Sequence, residues 1–306
     1  MSSDRGASDR SGAVLTGFGP LDPVLADPTV SEVMVNGAEV WIERRGHLER
    51  LVLRLAATEL HRLVERVVGP AGVRVDRASP LADVRLADGS RAHVVLPPIA
   101  PDGPCITIRR FTLLDARVTD FTDGATARRL EEAVRARVDI VVAGATATGK
   151  TTFLNALARA VPHDERIVTV EDVAELRLDH PHVVRLETRR PNADGIGEVT
   201  VRTLVRNALR MRPDRIVVGE VRGGEVLDMA QAMNSGHRGS MSTCHANSPR
   251  DLLRRLEAMA VLGGGSVLPA FARDQVAGSL GLVVQLGRDT DGRRRVVDVV
   301  EGAGLR

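Results

Sequence analysis

Several residue types are scarce in this sequence of 306 residues, and each scarcity excludes a class of protein. Aromatic residues make up 2% of the chain and tyrosine is absent, so direct binding of nucleic acid by base stacking is not expected. The two cysteines, Cys105 and Cys244, belong to no C-x-x-C pair and indicate neither a zinc site nor a disulfide framework. No apolar run approaches the length of a membrane span, so we expect no transmembrane segment. The composition is therefore typical of a globular protein of the reducing cytoplasm.

Lysine is scarcer still, because it occurs once, at Lys150, and the other long basic side chains are all arginine. Arginine can replace lysine where a positive charge on a long stem is sufficient, so the site that keeps lysine in this chain is expected to require its particular shape. The ammonium group is a compact point charge, whereas the guanidinium group is a wide planar fork. The single lysine therefore predicts a narrow anion-binding pocket.

The residues around Lys150 form a phosphate-binding pattern. The stretch GATATGKT matches G-x-x-x-x-G-K-[ST], in which backbone N–H groups wrap phosphates, the lysine reaches the outer phosphates and the hydroxyl binds Mg2+. A short β-branched run precedes the pattern and a helical pattern follows it, so the loop lies at a helix N-terminus, where anions bind. The sequence thus predicts a site for ATP and Mg2+, with Thr151 as a metal ligand. The predicted nucleotide-binding residues are Gly144, Ala145, Thr146, Ala147, Thr148, Gly149, Lys150, Thr151 and Thr152.

The hydrophobic pattern divides the chain into two α/β domains. Residues 1–13 are polar and predicted to be a disordered tail, residues 14–112 a smaller α/β domain, and residues 113–124 a linker. Residues 125–306 alternate strands and helices, which predicts a largely parallel sheet with helices on both faces. The predicted strands of this second domain are DIVVAG, RIVTVE, HVVRLE, RIVVGE, GSMSTCH, GLVVQLG and RRVVDVVE, and its helices begin at Thr151, Thr200, Gly224, Pro249 and Leu268.

Acidic residues follow two of these strands. Glu171 ends the run RIVTVE, and Glu220 follows RIVVG. Ligands of open α/β sheets bind at the carboxyl ends of strands, so the two carboxylates are predicted to flank the Mg-nucleotide. His245 follows another strand and precedes a helix whose predicted cap is Ser248, a position from which a histidine can contact a γ-phosphate or an attacking water. The sequence therefore supplies groups for ATP hydrolysis.

These motifs, in this order, resemble a known family. The phosphate loop followed by EDVAEL, VVGEVRGGE and GHRGSMSTCHANSPRD is similar to the secretion ATPases of type II and type IV systems, in particular the CpaF-like branch that powers Tad/Flp pilus assembly. The stretches VMVNG, LADGSRAHVVLPP, DGPCITIRRF and GIGEVTVRTLVRNALRMRPDRI resemble the same branch. The resemblance extends over most of the chain, from Leu21 to Val300.

The resemblance implies a RecA-like P-loop NTPase domain preceded by a smaller α/β domain. It further implies a homohexameric ring with ATP at the subunit junctions, acting with inner-membrane platform proteins at the cytoplasmic face of the membrane. On this basis Glu171 positions or deprotonates the attacking water, and Glu220 holds Mg2+ through its water shell. His245 belongs to the family's His box. Arg91 and Arg109 match N-terminal arginines that reach the nucleotide.

Two departures from the family pattern matter. Ala145 and Ala147 occupy positions that are usually glycine, so each requires either a negative φ or backbone strain. The four-cysteine zinc element of type II assembly ATPases is missing, which argues against that branch. Three alternatives remain: a conjugation-type type IV secretion ATPase, a RecA-like nucleic-acid motor, and a nucleotide-binding assembly subunit without useful turnover.

Overall fold

The structure is a computed structural model that describes residues 15–110, 116–189, 191, 195–263, 265 and 267–305. The predicted tail, residues 1–13, lies outside the described residues. The chain forms two compact units, Met1–Leu113 and Leu114–Arg306. Within the segment predicted as a linker, Val118–Asp120 forms a 3-10 helix, and the side chain of Val118 is buried in the second unit's core.

The first unit is built on a six-stranded sheet in the order β3-β2-β1-β6-β5-β4, with every neighbouring pair antiparallel. Its side chains alternate between a buried face and an open face, as the period of two in each strand requires. The buried face shares one core with the longer helix, α2. The elements are α1 (Asp22–Ala26), β1 (Val30–Asn36), β2 (Glu39–Arg44), β3 (His47–Arg54), α2 (Ala57–Val68), β4 (Leu81–Arg85), β5 (Arg91–Val95) and β6 (Cys105–Arg109).

The second unit is built on a seven-stranded sheet in the order β13-β12-β7-β11-β10-β8-β9. All neighbouring strands are parallel except β12 and β13, which form an antiparallel edge. The predicted parallel sheet and all seven of its predicted strands are therefore confirmed. The strands are β7 (Ile140–Gly144), β8 (Ile167–Glu171), β9 (Val183–Glu187), β10 (Arg215–Val218), β11 (Met241–His245), β12 (Leu282–Arg288) and β13 (Arg294–Glu301).

Helices cover both faces of this sheet, as predicted, and each face has its own core. Helices α3 and α4 pack on one face, and α5 to α8 pack on the other. The predicted cap is confirmed, because the backbone N–H of Asp251 donates to Ser248 Oγ at 3.1 Å. The helices are α3 (Gly124–Arg135), α4 (Lys150–Ala158), α5 (Val201–Ala208), α6 (Glu225–Asn234), α7 (Pro249–Gly263) and α8 (Pro269–Ser279).

Among the α-helices that the structure describes in the second unit, α3 is the one that the sequence analysis missed. Its signals are a cap and an apolar stripe, because Asp123 accepts hydrogen bonds from the N–H groups of Ala125 and Thr126, and Leu130 and Val134 are buried. The sequence pattern places the start of this helix in the linker, because the stretch before it lacks periodicity. None of the helices that the structure describes combines the length and the apolar character of a membrane span.

The strand order determines where the predicted site residues lie. Strands β7, β11, β10 and β8 are consecutive neighbours and run parallel, so their carboxyl ends meet at one edge of the sheet. Gly144, His245 and Glu171 end three of these strands, and Glu220 follows the fourth by two residues. The fold therefore brings the phosphate loop, both carboxylates and the histidine to a single edge.

Candidate active site

The phosphate loop is held by close packing at both of its motif glycines. A Cβ atom on Gly144 would lie 2.6 Å from Thr148 Oγ1 and 2.9 Å from the carbonyl oxygen of Leu286. Gly149 has φ +88°, and a Cβ there would lie 2.8 Å from Arg294 Cδ. Glycine is required at both positions, because a Cβ on Gly144 would meet the backbone of Leu286 and because residues with a side chain rarely adopt the φ of Gly149. The Cβ-free turn lets the backbone approach a phosphate group.

The two alanines that replace family glycines behave differently. Ala147 has φ +61°, whereas Ala145 is not among the described residues with positive φ. The left-handed conformation costs a residue with a Cβ roughly 1–2 kcal/mol. The strain expected from the sequence is therefore present at Ala147 and not at Ala145.

Lys150 lies inside the loop and is 8% exposed. Its Nζ donates to the carbonyl oxygens of Gly144 at 3.1 Å and Ala145 at 2.9 Å. The same Nζ lies 3.4 Å from His245 Nδ1. The ammonium group is thus enclosed at the start of α4, where the first helical N–H groups have no partner within the helix. The N–H groups at a helix N-terminus, the helix dipole and a buried cation together favour a phosphate group.

Glu171 is the most deeply buried carboxylate of the site, with 3% of its surface exposed. Its Oε1 accepts hydrogen bonds from the backbone N–H groups of Glu175 and Leu176, both at 2.8 Å. Among the described residues, its Oε2 has no hydrogen-bond partner although it is buried. Burial raises the pKa of Glu171 to about 7, against the smaller effect of the two backbone N–H groups. A buried acceptor with this pKa suits a group that takes a proton from water.

Glu220 and His245 form a pair beside the lysine. Glu220 Oε1 lies 2.9 Å from His245 Nε2, and the other carboxylate oxygen of Glu220 accepts from Arg222. Arg222 also reaches Asp172 Oδ2 at 3.3 Å. Burial, and then the charge of Lys150, lower the pKa of His245. The imidazole is therefore neutral, and its partners assign Nδ1 as the acceptor facing Lys150 and Nε2–H as the donor to Glu220.

The sequence analysis missed two residues that position these carboxylates. A Cβ on Gly219 would lie 2.8 Å from Glu171 Cγ, so this glycine gives the Glu171 side chain its space. Thr243 Oγ1 donates to the carbonyl oxygen of Gly219 at 2.6 Å and ties this turn to β11. The signal for Gly219 was its place directly before Glu220. Thr243 carried no local signal, because it lies within a buried strand.

Arg91 and Arg109, predicted to reach the nucleotide, belong to the first unit. They are directly opposite each other on β5 and β6, and Glu32 lies opposite Arg109 on β1. All three alternate with buried neighbours, so their side chains share the open face of the sheet. The structure thus brings the two arginines together on one surface of the first unit.

The residues at the strand edge of the second unit fit a Mg-nucleotide. Thr151 is the second residue of α4, directly after Lys150, and its Oγ1 lies 3.5 Å from Glu175 Oε2. A hydroxyl oxygen and the Glu220 carboxylate are hard oxygen ligands of the kind that Mg2+ prefers, with waters and phosphate oxygens completing its shell. The predicted metal ligands, Thr151 and Glu220, therefore suit this ion chemically.

The second unit has a phosphate loop between a parallel strand and a helix, and it has a buried carboxylate and a Glu–His pair at neighbouring strand ends. This arrangement defines a P-loop NTPase fold of the RecA-like type. Residues 14–301 match the model of the family described as Type II/IV secretion system protein, and the chain belongs to that family. The predicted fold class, a RecA-like domain preceded by a smaller α/β domain, is confirmed by the solved secretion ATPases of this fold.

Three relatives illustrate the similarity. A Mycobacterium tuberculosis protein named for conjugal transfer, Rv3659c, is 43% identical over 298 residues, which cover 93% of this chain and 84% of that protein. The type IV secretion system protein PtlH of Bordetella pertussis is 35% identical, and the alignment covers 98% of this chain and 98% of that protein. The crystal structure of the VirB11 ATPase from the Brucella suis type IV secretion system, in complex with sulphate, has a TM-score of 0.53 at 30% identity, with 94% of both chains covered.

Proposed function

We propose that this chain hydrolyses ATP to ADP and phosphate and that the reaction powers a secretion or pilus machine at the cytoplasmic face of the membrane. The observation that carries the proposal is Glu171, a buried carboxylate with an unpartnered oxygen and a pKa raised to about 7, at the same sheet edge as an intact phosphate loop. Membership of the secretion family supports the biological setting.

Each residue of the site has a role in this reaction. The N–H groups of the loop and Lys150 would bind the phosphates, and Thr151 and Glu220 would hold Mg2+, the latter through water. The bound Mg2+ would neutralise charge on the β- and γ-phosphate oxygens. Glu171 accepts a proton from the attacking water through Oε2, because Oε1 is occupied by two backbone N–H groups. Neutral His245 orients Glu220 through Nε2–H.

Gly219→Ala is expected to lower kcat about tenfold to a hundredfold, because the added Cβ would lie 2.8 Å from Glu171 Cγ and displace the base. Nucleotide affinity should change little, since the loop itself is untouched. Phosphate release and binding of a fluorescent ADP analogue measure the two quantities separately.

Gly278→Ala is the matched control for this variant. Gly278 lies in α8, and the nearest atom to its added Cβ is 3.8 Å away, so alanine should leave turnover unchanged and stabilise the helix by roughly 0.5–1 kcal/mol. If the two glycine variants turned over ATP at the same rate, Gly219 would have no positioning role.

We further propose that the active form is a homohexameric ring in which Arg91 and Arg109 of one subunit reach the nucleotide only on assembly. Arginines supplied to a transferring phosphoryl group increase the rate by large factors. Turnover per subunit should therefore rise with protein concentration as subunits associate. Arg109→Ala should keep most nucleotide affinity but flatten this rise, measured as ATPase activity across a dilution series.

Arg54→Ala is the control for the ring experiment. Arg54 lies on β3 of the same sheet, and its side chain is 71% exposed. Its removal changes the net charge of the first unit as Arg109→Ala does, but it leaves Arg91 and Arg109 in place. Thermal melts of both variants establish that the fold is intact. Concentration-independent turnover in the parent, or an unchanged rise in Arg109→Ala, would contradict the ring proposal.

The machine that the ATPase serves has two candidates. The motif pattern resembles the CpaF-like branch of Tad/Flp pilus assembly, which would supply inner-membrane platform proteins as partners. The names of the relatives from Mycobacterium tuberculosis and Bordetella pertussis favour a conjugation-type or other type IV secretion system instead. Deletion of the gene in its host, followed by assays of surface pili and of DNA transfer, separates them, because only one of the two processes should be lost.

A further inference from the structure

Arg288 contacts the phosphate loop from a strand outside the phosphate-binding motif. It is the last residue of β12, and its Nη2 donates to the carbonyl oxygen of Ala147 at 2.8 Å. Its Nη1 donates to the carbonyl oxygen of Gly292 at 3.1 Å, in the turn that connects β12 to β13. That turn is closed by hydrogen bonds between Asp289 and Arg293. The half-buried guanidinium therefore ties the loop to a structured hairpin.

This hydrogen bond controls the direction of a neighbouring N–H group. The carbonyl of Ala147 and the N–H of Thr148 belong to one planar trans peptide and point in opposite directions. Because Arg288 holds this carbonyl, the Thr148 N–H of the same peptide points away from the Arg288 guanidinium. The Thr148 side chain is fixed as well, because its Oγ1 donates to the Ala145 carbonyl oxygen at 2.9 Å.

The same peptide follows the strained residue of the loop. Ala147 has φ +61°, a conformation that glycine adopts readily and alanine resists. Relaxation of Ala147 to a negative φ would rotate the peptide that follows and change the direction of the Thr148 N–H. A hydrogen bond from a charged donor is stronger than a neutral one, so Arg288 opposes that relaxation.

We propose that Arg288 is a positioning residue of the phosphate loop, which holds the Ala147–Thr148 peptide in the phosphate-binding orientation that glycine at position 147 would adopt without support. The proposal rests on the proposed function, because it concerns binding of the nucleotide phosphates. It assigns to the β12–β13 hairpin a part in nucleotide affinity.

The test measures affinity for Mg-ADP carrying a fluorescent ribose label, in the full chain. Arg288→Gln should weaken binding about tenfold, equivalent to about 1.4 kcal/mol. Arg295→Gln removes the same charge from the same hairpin at an exposed side chain and should bind like the parent. The double variant Ala147→Gly with Arg288→Gln should bind within about threefold of the parent, because glycine keeps the loop conformation without the arginine.

The outcomes separate a positioning role from others. No rescue by Ala147→Gly would overturn the proposal, since an arginine that contacted the phosphate directly could not be replaced by a more adaptable loop. Equal affinities of Arg288→Gln and Arg295→Gln would overturn it too. The melting temperatures of all variants show whether a loss of affinity for labelled Mg-ADP occurs while the fold is intact. A parent chain that bound no labelled ADP would instead refute the proposed function itself.

Discussion

Lys150→Arg is expected to lower ATP turnover about a hundredfold or more, although the positive charge is kept. Lys150 Nζ is enclosed by the carbonyl oxygens of Gly144 and Ala145 at 3.1 and 2.9 Å, and the side chain is 8% exposed. The wider guanidinium fork cannot occupy this space in the same geometry, and a displacement of about 1 Å at a reacting centre is sufficient for a loss of this size. Steady-state phosphate release over a range of ATP concentrations measures the effect.

The Lys150 experiment has a conservative control. Arg295→Lys makes the reverse exchange at a side chain that is 58% exposed, and it should leave turnover unchanged. Because His245 Nδ1 lies 3.4 Å from Lys150 Nζ, the arginine variant should also disturb the pairing of His245 with Glu220. Near-normal turnover in Lys150→Arg would refute the inference that a narrow pocket explains the single lysine of the chain.

Glu171→Gln should lower kcat by about a hundredfold to ten-thousandfold while Mg-ATP binds as in the parent, because the amide cannot accept the proton of the attacking water. In the parent, turnover should rise as the pH increases through about 7, since the carboxylate must be ionised to act as a base. The variant should lose this rise. Rapid-quench measurement of single turnovers across pH 5.5–8.5 (roughly 1.5 units either side of the pKa) separates the chemical step from binding.

The same substitution should increase stability above neutral pH. The pKa of Glu171 is raised from the ordinary 4.5 to about 7 in the folded chain, so the folded state binds the proton more tightly than the unfolded state does. Glu171 therefore stabilises the fold less as pH rises from about 4.5 to about 7. Glutamine does not ionise, so it avoids the cost of burying a charged carboxylate. At pH 8 the variant should melt at a higher temperature than the parent; a lower melting temperature would contradict the assigned burial cost.

Glu220→Gln distinguishes the two acids. Glu220 is paired with His245 and Arg222 and is predicted to hold Mg2+ through water, so its replacement should change the Mg2+ concentration required for half-maximal turnover. Glu171→Gln should leave that requirement unaltered. If both variants changed Mg-ATP binding and turnover equally, the assignment of Glu171 as the base and Glu220 as the metal-holding acid would be refuted.

The sequence by itself determined those features whose signals are local. The phosphate loop is recognised from eight consecutive residues. The strands and helices follow from the spacing of apolar side chains and from helix caps such as Ser248. The carboxyl ends of predicted parallel strands were enough to select Glu171, Glu220 and His245. Helix α3 was missed because its cap, Asp123, lies in a stretch without periodicity.

Only the tertiary structure decided which distant residues touch. Strand β7 lies between β12 and β11 in the sheet, although both are far from it in the chain, and this order brings His245 to Lys150 and Arg288 to Ala147. The contact of Gly219 with Glu171 likewise follows from the adjacency of β10 and β8. Local propensities encode backbone conformation, whereas strand order arises from packing of the whole sheet between its helices, and no short stretch of sequence carries that information.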